Sequence, residues 1–546
     1  MLTHKPTAFG ANVVHAGRLL TVGEAEAEAR RLRQDPDVEW VEVNVIEQSL
    51  AFTGLTPNDP VFSSPQSSQE WLRAKDNSSR AGVAGFTTAW QRFASWGQAL
   101  SPVAVAVLDT GTLYSVNSSF QRLGEHPELL GRVYPGYDFV SELEFSRDGN
   151  GIDDDPNDPG DGLTQDERDR QGILYPPTCR PSDSSWHGFS ILNMLAAVTN
   201  NGVGGAGILA PLDGPVVLPV RVGSVCGADR SDIIEGMLWA AGIRYQGEPA
   251  TRNQNHARVI SLSFGSRGTC AGSVYESAIN SLRQKGTLVV ASAGNGNSDG
   301  VGDVRPTVPA SCPGVLAVTA LSQSGYKATY ANFVGPEAGL AVAAGDVANG
   351  ILRDGGIVAL SNLGRVDPAD PLSDVPRDCA TPQPGGPFCT LQSDQFIPRA
   401  LAGTSFAAPQ VAGVAALMLA VRPSTTVDEL RQALLTEVSA FRAEGPGMPA
   451  ACSEVRTRDC TCTTQFCGAG VLDADAAVEW AMNTAASVGT PITPPEVTSG
   501  FVPDRARSNS GGGGGALSWP WLAGLAALWM IGAVTGRRAG FRTGRP

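Results

Sequence analysis

Four side chains in this sequence could together attack a carbonyl carbon: Asp109, His187, Asn295 and Ser405. Ser405 lies in "GTSFAAPQVAG" (403–413), between a Gly-Thr turn and an apolar run with an early proline. A serine hydroxyl is a weak nucleophile until a base takes its proton, an acid orients that base and a donor meets the oxyanion that forms. His187 in "SSWHG" supplies a candidate base, Asp109 in "VAVLDTG" an acid and Asn295 in "SAGNGN" an amide donor. Each alone has an ordinary structural use: helix N-cap, turn former, structural histidine, loop asparagine. Only their joint occurrence points to acyl transfer.

The elements around them are those of an α/β protein. Strand candidates are "VAVAVL" (103–108), "VVLPVRV" (216–222), "RVISLSF" (258–264), "TLVVASA" (287–293) and "VLAVTAL" (315–321). Continuous apolar runs of this kind are strands buried on both faces. Helical patterns such as "SDIIEGMLWAAG" lie between them. Alternation of strand and helix predicts a three-layer fold, a mostly parallel sheet with helices on both faces. In such sheets reactive residues gather past the carboxyl ends of strands, where Asp109 and Asn295 fall. Pro409 suits the first turn of a helix that is apolar on nearly every face and therefore central.

The chain has 546 residues, 42% of them hydrophobic and 17% charged, which is globular composition with area for a sizeable core. A net charge of −14, with no basic block in the main body, argues against a nucleic-acid partner. No phosphate-binding glycine loop supports a nucleotide-binding reading. Ten cysteines, an even number spread along the chain, predict disulfides and an oxidising compartment. Cys379 is expected to pair with Cys389, and Cys452, Cys460, Cys462 and Cys467 among themselves; zinc in "CTCTTQFC" is disfavoured because no histidine is near.

The organisation reads as 1–55, an α+β segment; 56–485, the main domain; 486–515, a Pro/Gly/Ser-rich linker; 516–535, an uncharged stretch long enough to cross a bilayer; and 536–546, a basic tip. Arg537, Arg538, Arg542 and Arg545 predict a cytoplasmic tip with the folded body outside. No signal-peptide pattern opens the chain.

In sequence order, "AVLDTG", "SSWHG", "SAGN" and "GTSFAAPQVAG" match the motif blocks of the subtilisin-like serine peptidases, and the chain resembles their secreted, disulfide-containing bacterial branch over roughly residues 56–483. The order Asp, His, Ser is that of subtilisin. The resemblance implies a subtilisin-like fold and a secreted or surface-held endopeptidase acting on protein or peptide substrates. Ser405 would be the nucleophile, His187 the base, Asp109 its orienting acid and Asn295 an oxyanion donor. Substrate would run along "SLSFG", with Ser263, Phe264, Gly265 and Gly294 lining the site and Gly265 leaving room near the pocket.

Residues 1–55 resemble the end of the family's inhibitory pro-segment, an intramolecular partner. The opening strand and signal peptide usual in that family are expected to be missing, implying further coding sequence upstream. "SNSGGGGG", the apolar stretch and the arginines resemble Gly-Gly sorting tails, cut by a rhomboid-like protease after export. The alternative is a permanent membrane anchor.

Two calcium sites are expected. "HPEL" and "TNNGVGGAG" match a family site that would use Glu128 and Asn201. Independently, "DGNGIDDDPNDPGD" (148–161) packs Asp148, Asn150, Asp153 and Asp155 into an oxygen-rich loop. The family pattern breaks after His187, where "HGFSILNM" replaces the usual HGTHVAGT, and Gln410 stands where histidine is common. These departures are expected to pack against each other. They motivate the second function class, a catalytically impaired subtilisin-fold protein that binds or supports at the cell surface.

Overall fold

The computed structural model describes residues 3–6, 12–15, 22–38, 41, 55–64, 68–116, 122–170, 179–243, 253–296, 305–348, 350–362, 388–390, 394–445 and 448–485. The linker, the candidate membrane stretch, the basic tip and Cys379 lie outside them, as does most of the strand candidate "VEWVEVNVI" (38–46).

The chain divides into two compact units, Met1–Thr53 and Gly54–Pro546. In the first, strands Thr3–Pro6 and Asn12–His15 pair antiparallel and are followed by a helix, Val22–Leu32. The sequence reading places no strand before that helix. "THKP" and "NVVH" are too short to show an alternating pattern, which is why the pair was illegible.

The second unit is built on a nine-stranded sheet. In chain order its strands are β1 (Val105–Asp109), β2 (Tyr137–Asp138), β3 (Val217–Arg221), β4 (Val259–Leu262), β5 (Leu288–Ser292), β6 (Leu316–Leu321), β7 (Gly339–Ala343), β8 (Val438–Ser439) and β9 (Val471–Leu472). Spatially they run β8-β9-β7-β6-β5-β4-β1-β3-β2, all parallel except for the β8–β9 pair. Every residue of β1, β3, β4, β5, β6 and β7 is buried, as expected of strands covered on both faces.

Helices α1 (Phe86–Trp96), α2 (His187–Ala196), α3 (Arg230–Ala240), α4 (Val274–Lys285), α5 (Ala408–Val421), α6 (Val427–Thr436) and α7 (Ala474–Ala485) complete the layers. Helices α3 and α4 pack together on one face, and α2 and α5 on the other; α7 packs on α5, with α1 against α7 and α6 against both α5 and α7. All of α5 is buried, and Pro409 opens it. The stretch Thr404–Val421 is apolar enough to cross a membrane, yet 94% of it is buried within the fold, so it is a core helix. Gly413 lets α5 approach its neighbours, since a Cβ there would lie 2.5 Å from Ile208 Cγ2 and 3.2 Å from Leu195 Cδ2. The architecture is thus α/β, a mostly parallel sheet covered by helices on both faces.

Beside α2 lies a small antiparallel sheet, Ile357–Asn362 paired with Asp394–Leu401. The second of these strands leads into Gly403 and Ser405. Disulfides Cys179–Cys226 and Cys270–Cys312 close loops of sequence separation 47 and 42, and Cys452–Cys460 and Cys462–Cys467 close the late cluster. The late four pair among themselves as expected, which leaves no thiolates there for a metal.

Candidate active site

Asp109 is the last residue of β1, and its carboxyl is 1% exposed. His187 is the first residue of α2, and its side chain is 22% exposed. The two meet: His187 Nδ1 lies 2.8 Å from Asp109 Oδ1, which also accepts the Thr110 backbone N–H at 2.9 Å. An imidazole held this way through Nδ1 presents Nε2 to whatever faces it. Trp186, wholly buried, takes a left-handed conformation (φ 50°) that turns the chain sharply into the helix.

Burial alone would lower the His187 pKa. The charge and hydrogen bond of Asp109 outweigh it, with help from Asp161 and Asp158, and hold the imidazole above its usual 6.5.

Ser405 sits in a one-turn 3-10 segment, Thr404–Phe406, just ahead of α5. The residue at the α5 N-cap is Ala407, and it provides no side-chain cap, so the N-cap use of Ser405 is set aside. The His187 ring packs on Phe406, the next residue, with centroids 5.1 Å apart. The histidine and the serine turn are therefore neighbours. Among the described residues the Ser405 hydroxyl makes no hydrogen bond to His187. The Ser405 carbonyl accepts the Ser263 hydroxyl at 3.1 Å, tying this turn to the end of β4.

Asn295 follows β5 and is exposed. Its Oδ1 accepts both the backbone N–H and the hydroxyl of Thr404, at 3.0 and 2.8 Å. The amide is thereby oriented, with Nδ2 3.6 Å from where a Cβ on Gly403 would lie. A fixed amide donor beside a serine turn can meet a negative oxygen without reorganising.

Ser263, Phe264 and Gly265 continue from β4, partly or fully exposed at the same end of the sheet. A Cβ on Gly265 would fall 2.4 Å from Thr307 Oγ1 and 3.0 Å from the Val308 carbonyl. The space left by this glycine is thus filled by the chain's own Thr307 and Val308, and Ser266 pairs antiparallel with Val308. Gly294 (φ +101°) donates its N–H to Thr404 Oγ1 at 3.2 Å and approaches Thr307.

Glu128 and Asn201 are brought together. Glu128 is wholly buried, with Oε1 accepting the Asn201 side-chain amide at 2.8 Å and Oε2 the Gly205 N–H at 3.2 Å. Asp59, also wholly buried, accepts the N–H groups of Asn200 and Asn201 at 2.9 and 3.2 Å. Burial raises both carboxyls, that of Glu128 to about 8, with the Asp59 charge adding to the effect. Two buried carboxyls met only by amides form a donor set that fits a hard cation. Asp59 was missed by sequence reasoning; in "TPNDP" it is indistinguishable from a turn former.

The second acidic loop is arranged differently. Asp148 faces the guanidinium of Arg221, which it shares with Asp138. Asn150 donates to Asp153, and Asp153 Oδ1 accepts the Asp155 N–H at 2.8 Å. With Asp148 against a guanidinium, this loop fits a cation poorly.

An aspartate–histidine pair and a serine turn thus meet at the carboxyl end of a doubly covered parallel sheet. The family model described as "Subtilase family" (Peptidase S8) matches residues 101–452, and the chain belongs to that family. It is 34% identical over 476 residues to an extracellular protease of Xanthomonas campestris, covering 87% of this chain and 65% of the relative. With the extracellular basic protease of Dichelobacter nodosus it shares 32% identity over 480 residues, covering 87% of this chain and 63% of the relative. The chain thus spans a little under two thirds of the length of these two. Among solved structures it is similar to a protease from Pseudoalteromonas arctica, with a TM-score of 0.56 and 32% identity, covering 78% of this chain and 100% of that one.

Proposed function

We propose that the chain is a secreted serine endopeptidase that hydrolyses peptide bonds through Asp109, His187 and Ser405. The observation that carries this is the 2.8 Å contact between His187 and Asp109, with the imidazole seated on the residue after Ser405. In this reading His187 takes the Ser405 proton as the hydroxyl attacks the carbonyl, and Asp109 keeps the imidazole in the right tautomer and stabilises its cation. Asn295 Nδ2 and the Ser405 N–H receive the developing oxyanion. The C–N bond then breaks as His187 gives the proton taken from Ser405 to the leaving amine, and water, with His187 again as the base, hydrolyses the acyl-enzyme and frees Ser405. A peptide lies along Ser263–Gly265 and Gly294.

The Xanthomonas and Dichelobacter relatives are described as extracellular, and the disulfides agree with export. We assign residues 1–55 to an inhibitory pro-segment, and 516–535 with its basic tip to a membrane anchor or a tail removed by a rhomboid-like protease. Glu128, Asn201 and Asp59 would hold calcium, whose contribution is structural: it neutralises buried carboxyls and ties the 58–70 segment to the 199–205 loop.

The test is exposure of the secreted protein and a Ser405→Ala control to a tagged fluorophosphonate and to casein. Labelling and casein loss in the parent alone are expected. A folded, matured parent that does neither would leave the surface-binding alternative standing.

A further inference from the structure

Segment 156–163 lies between the two stretches of chain that deliver Asp109 and His187. On one side, the Asp158 N–H donates to the Thr112 carbonyl at 2.7 Å and the Thr112 N–H to the Pro156 carbonyl at 2.9 Å. On the other, Leu163 and Ser182 exchange backbone hydrogen bonds of 2.8 and 2.9 Å, and the Gly162 N–H donates to Ser184 Oγ at 2.9 Å. There is no spare room: a Cβ on Gly111 would lie 2.5 Å from the Pro156 carbonyl, and one on Gly188 2.4 Å from the Gly111 carbonyl.

Two carboxylates of this segment reach the first turn of α2, each through one hydroxyl. Asp158, 1% exposed, accepts the Thr110 hydroxyl at 2.6 Å, and Thr110 Oγ1 in turn accepts the Gly188 N–H at 3.0 Å. Asp161 accepts the N–H and the hydroxyl of Ser185 at 2.6 and 2.7 Å, and Ser185 Oγ accepts the His187 N–H at 3.2 Å.

We infer that Asp158 and Asp161 are positioning residues for His187, fixing the start of its helix through Thr110 and Ser185. This rests on the reading of His187 as the general base. The first N–H groups of a helix have no intrahelical acceptor, and α2 has no N-cap side chain, because Trp186 occupies that position. The hydroxyls of Ser185 and Thr110 satisfy the first two of those donors. The two carboxyl groups fix the direction of each hydroxyl, and Asp161 places negative charge at the helix's positive end, while burial and the neighbouring Asp161 charge push the Asp158 carboxyl up to about 7. Rotation of α2 about its axis, which would swing the imidazole away from Ser405, is thereby opposed on both sides.

The arrangement also sets the charge around the ring. Facing it are Asp109 from β1 and Asp158 and Asp161 from this segment, with Arg221 acting on Asp158 and the uncharged Phe406 on the serine side. Removing a carboxylate here acts on the basicity of His187 as well as on its aim.

The experiment compares the full-length secreted parent with Asp161→Asn, Asp158→Asn and Ser185→Ala, measuring kcat and KM on a chromogenic peptide from pH 5 to 10, with thermal unfolding as a folding check. Both Asn variants are expected to lose kcat, on the order of tenfold, with little change in KM. Asp161→Asn should also move the acid limb of kcat/KM to lower pH. Ser185→Ala should lower kcat while leaving the limb in place, because the Asp161 charge remains.

Parental kcat in both Asn variants with a parental limb in Asp161→Asn would overturn the inference, as would a loss of kcat that follows thermal stability with the Asp161→Asn limb unmoved. Should Asp158→Asn not fold, Asp161→Asn and Ser185→Ala decide. The His187 pKa followed by NMR in a Ser405→Ala background separates the two claims. An inactive parent whose His187 pKa still falls with Asp161→Asn fails as a peptidase but keeps the clamp. A His187 pKa unmoved by Asp161→Asn overturns the clamp whatever the activity.

Discussion

Thr404 donates both its backbone N–H and its hydroxyl to Asn295 Oδ1, at 3.0 and 2.8 Å, so the residue before the candidate nucleophile sets the direction of the candidate oxyanion donor. Amide and serine turn are thus one rigid piece at the ends of β5 and the 394–401 strand.

Replacing Asn295 by alanine removes the donor and takes away the acceptor of the Thr404 N–H and hydroxyl. The expected loss in kcat is about 10²–10³, the size known for such a donor in a subtilisin, with KM changed far less. Steady-state kinetics on a peptide substrate checks it. Asn295→Asp keeps an acceptor for Thr404 but sets negative charge against the oxyanion, and should be no more active than the alanine variant.

The pH dependence follows from the histidine. The base must be neutral, and Asp109, Asp161 and Asp158 together hold its pKa above 6.5 against the effect of burial. Activity should therefore fall as pH drops through a value above 6.5, seen as the acid limb of kcat/KM. Asp109→Asn should move that limb to lower pH and cut kcat by about 10⁴, by favouring the wrong tautomer. A parental limb well below 6.5 would contradict the charge arrangement described.

What could be read in advance, and what could not, divides along physical lines. The runs that became β1, β3, β4, β5 and β6 were legible because strands buried on both faces are continuously apolar, and this class of sequence has no other comfortable place. β7 was not, because "GLAVA" is dominated by small residues that read equally well as turn or helix. The side strands 357–362 and 394–401 gain their partner across a long intervening segment, information no local window holds. Asp109, His187, Asn295 and Ser405 were legible only as a set. Asp59, Asp158 and Asp161 were not, because an aspartate beside proline or glycine looks like a turn former whether or not it ends up buried.

Calcium should stabilise the protein through the pair of buried carboxyls. Thermal unfolding in excess calcium is expected at higher temperature than in excess chelator, and Glu128→Gln should abolish the difference. Equal midpoints for the parent in both conditions would remove calcium from the account of Glu128 and Asn201.

The Cys270–Cys312 bond closes a loop of sequence separation 42 and braces the region where Ser266 pairs with Val308. Changing both cysteines to alanine should lower stability by about 2–4 kcal/mol, mainly by freeing the unfolded chain, as read by urea unfolding. Because Gly265 leans on Thr307, the same change should raise KM for extended peptides more than for single-residue esters.

The departures after His187 can be tested as a pair. The sequence reading expects the residues following His187 and Gln410 to have changed together as packing partners. In the fold the Ser190 hydroxyl donates to the Leu360 carbonyl at 2.8 Å, on the side sheet. The Gln410 amide donates to the Ala343 and Phe406 carbonyls, each at 2.8 Å, across β7 and the serine turn. They share no hydrogen-bond partner, and the bulk of Phe189 is taken up elsewhere, against the His126 ring at 4.6 Å. Ser190→Ala and Gln410→Ala should each cost about 1 kcal/mol or somewhat more, since the first takes a side-chain donor from one buried carbonyl and the second from two. Their combined cost in a double-mutant cycle should then equal the sum to within about 0.5 kcal/mol. A coupling well above that would mean the helices α2 and α5 register each other through these positions, and the paired-substitution account would return.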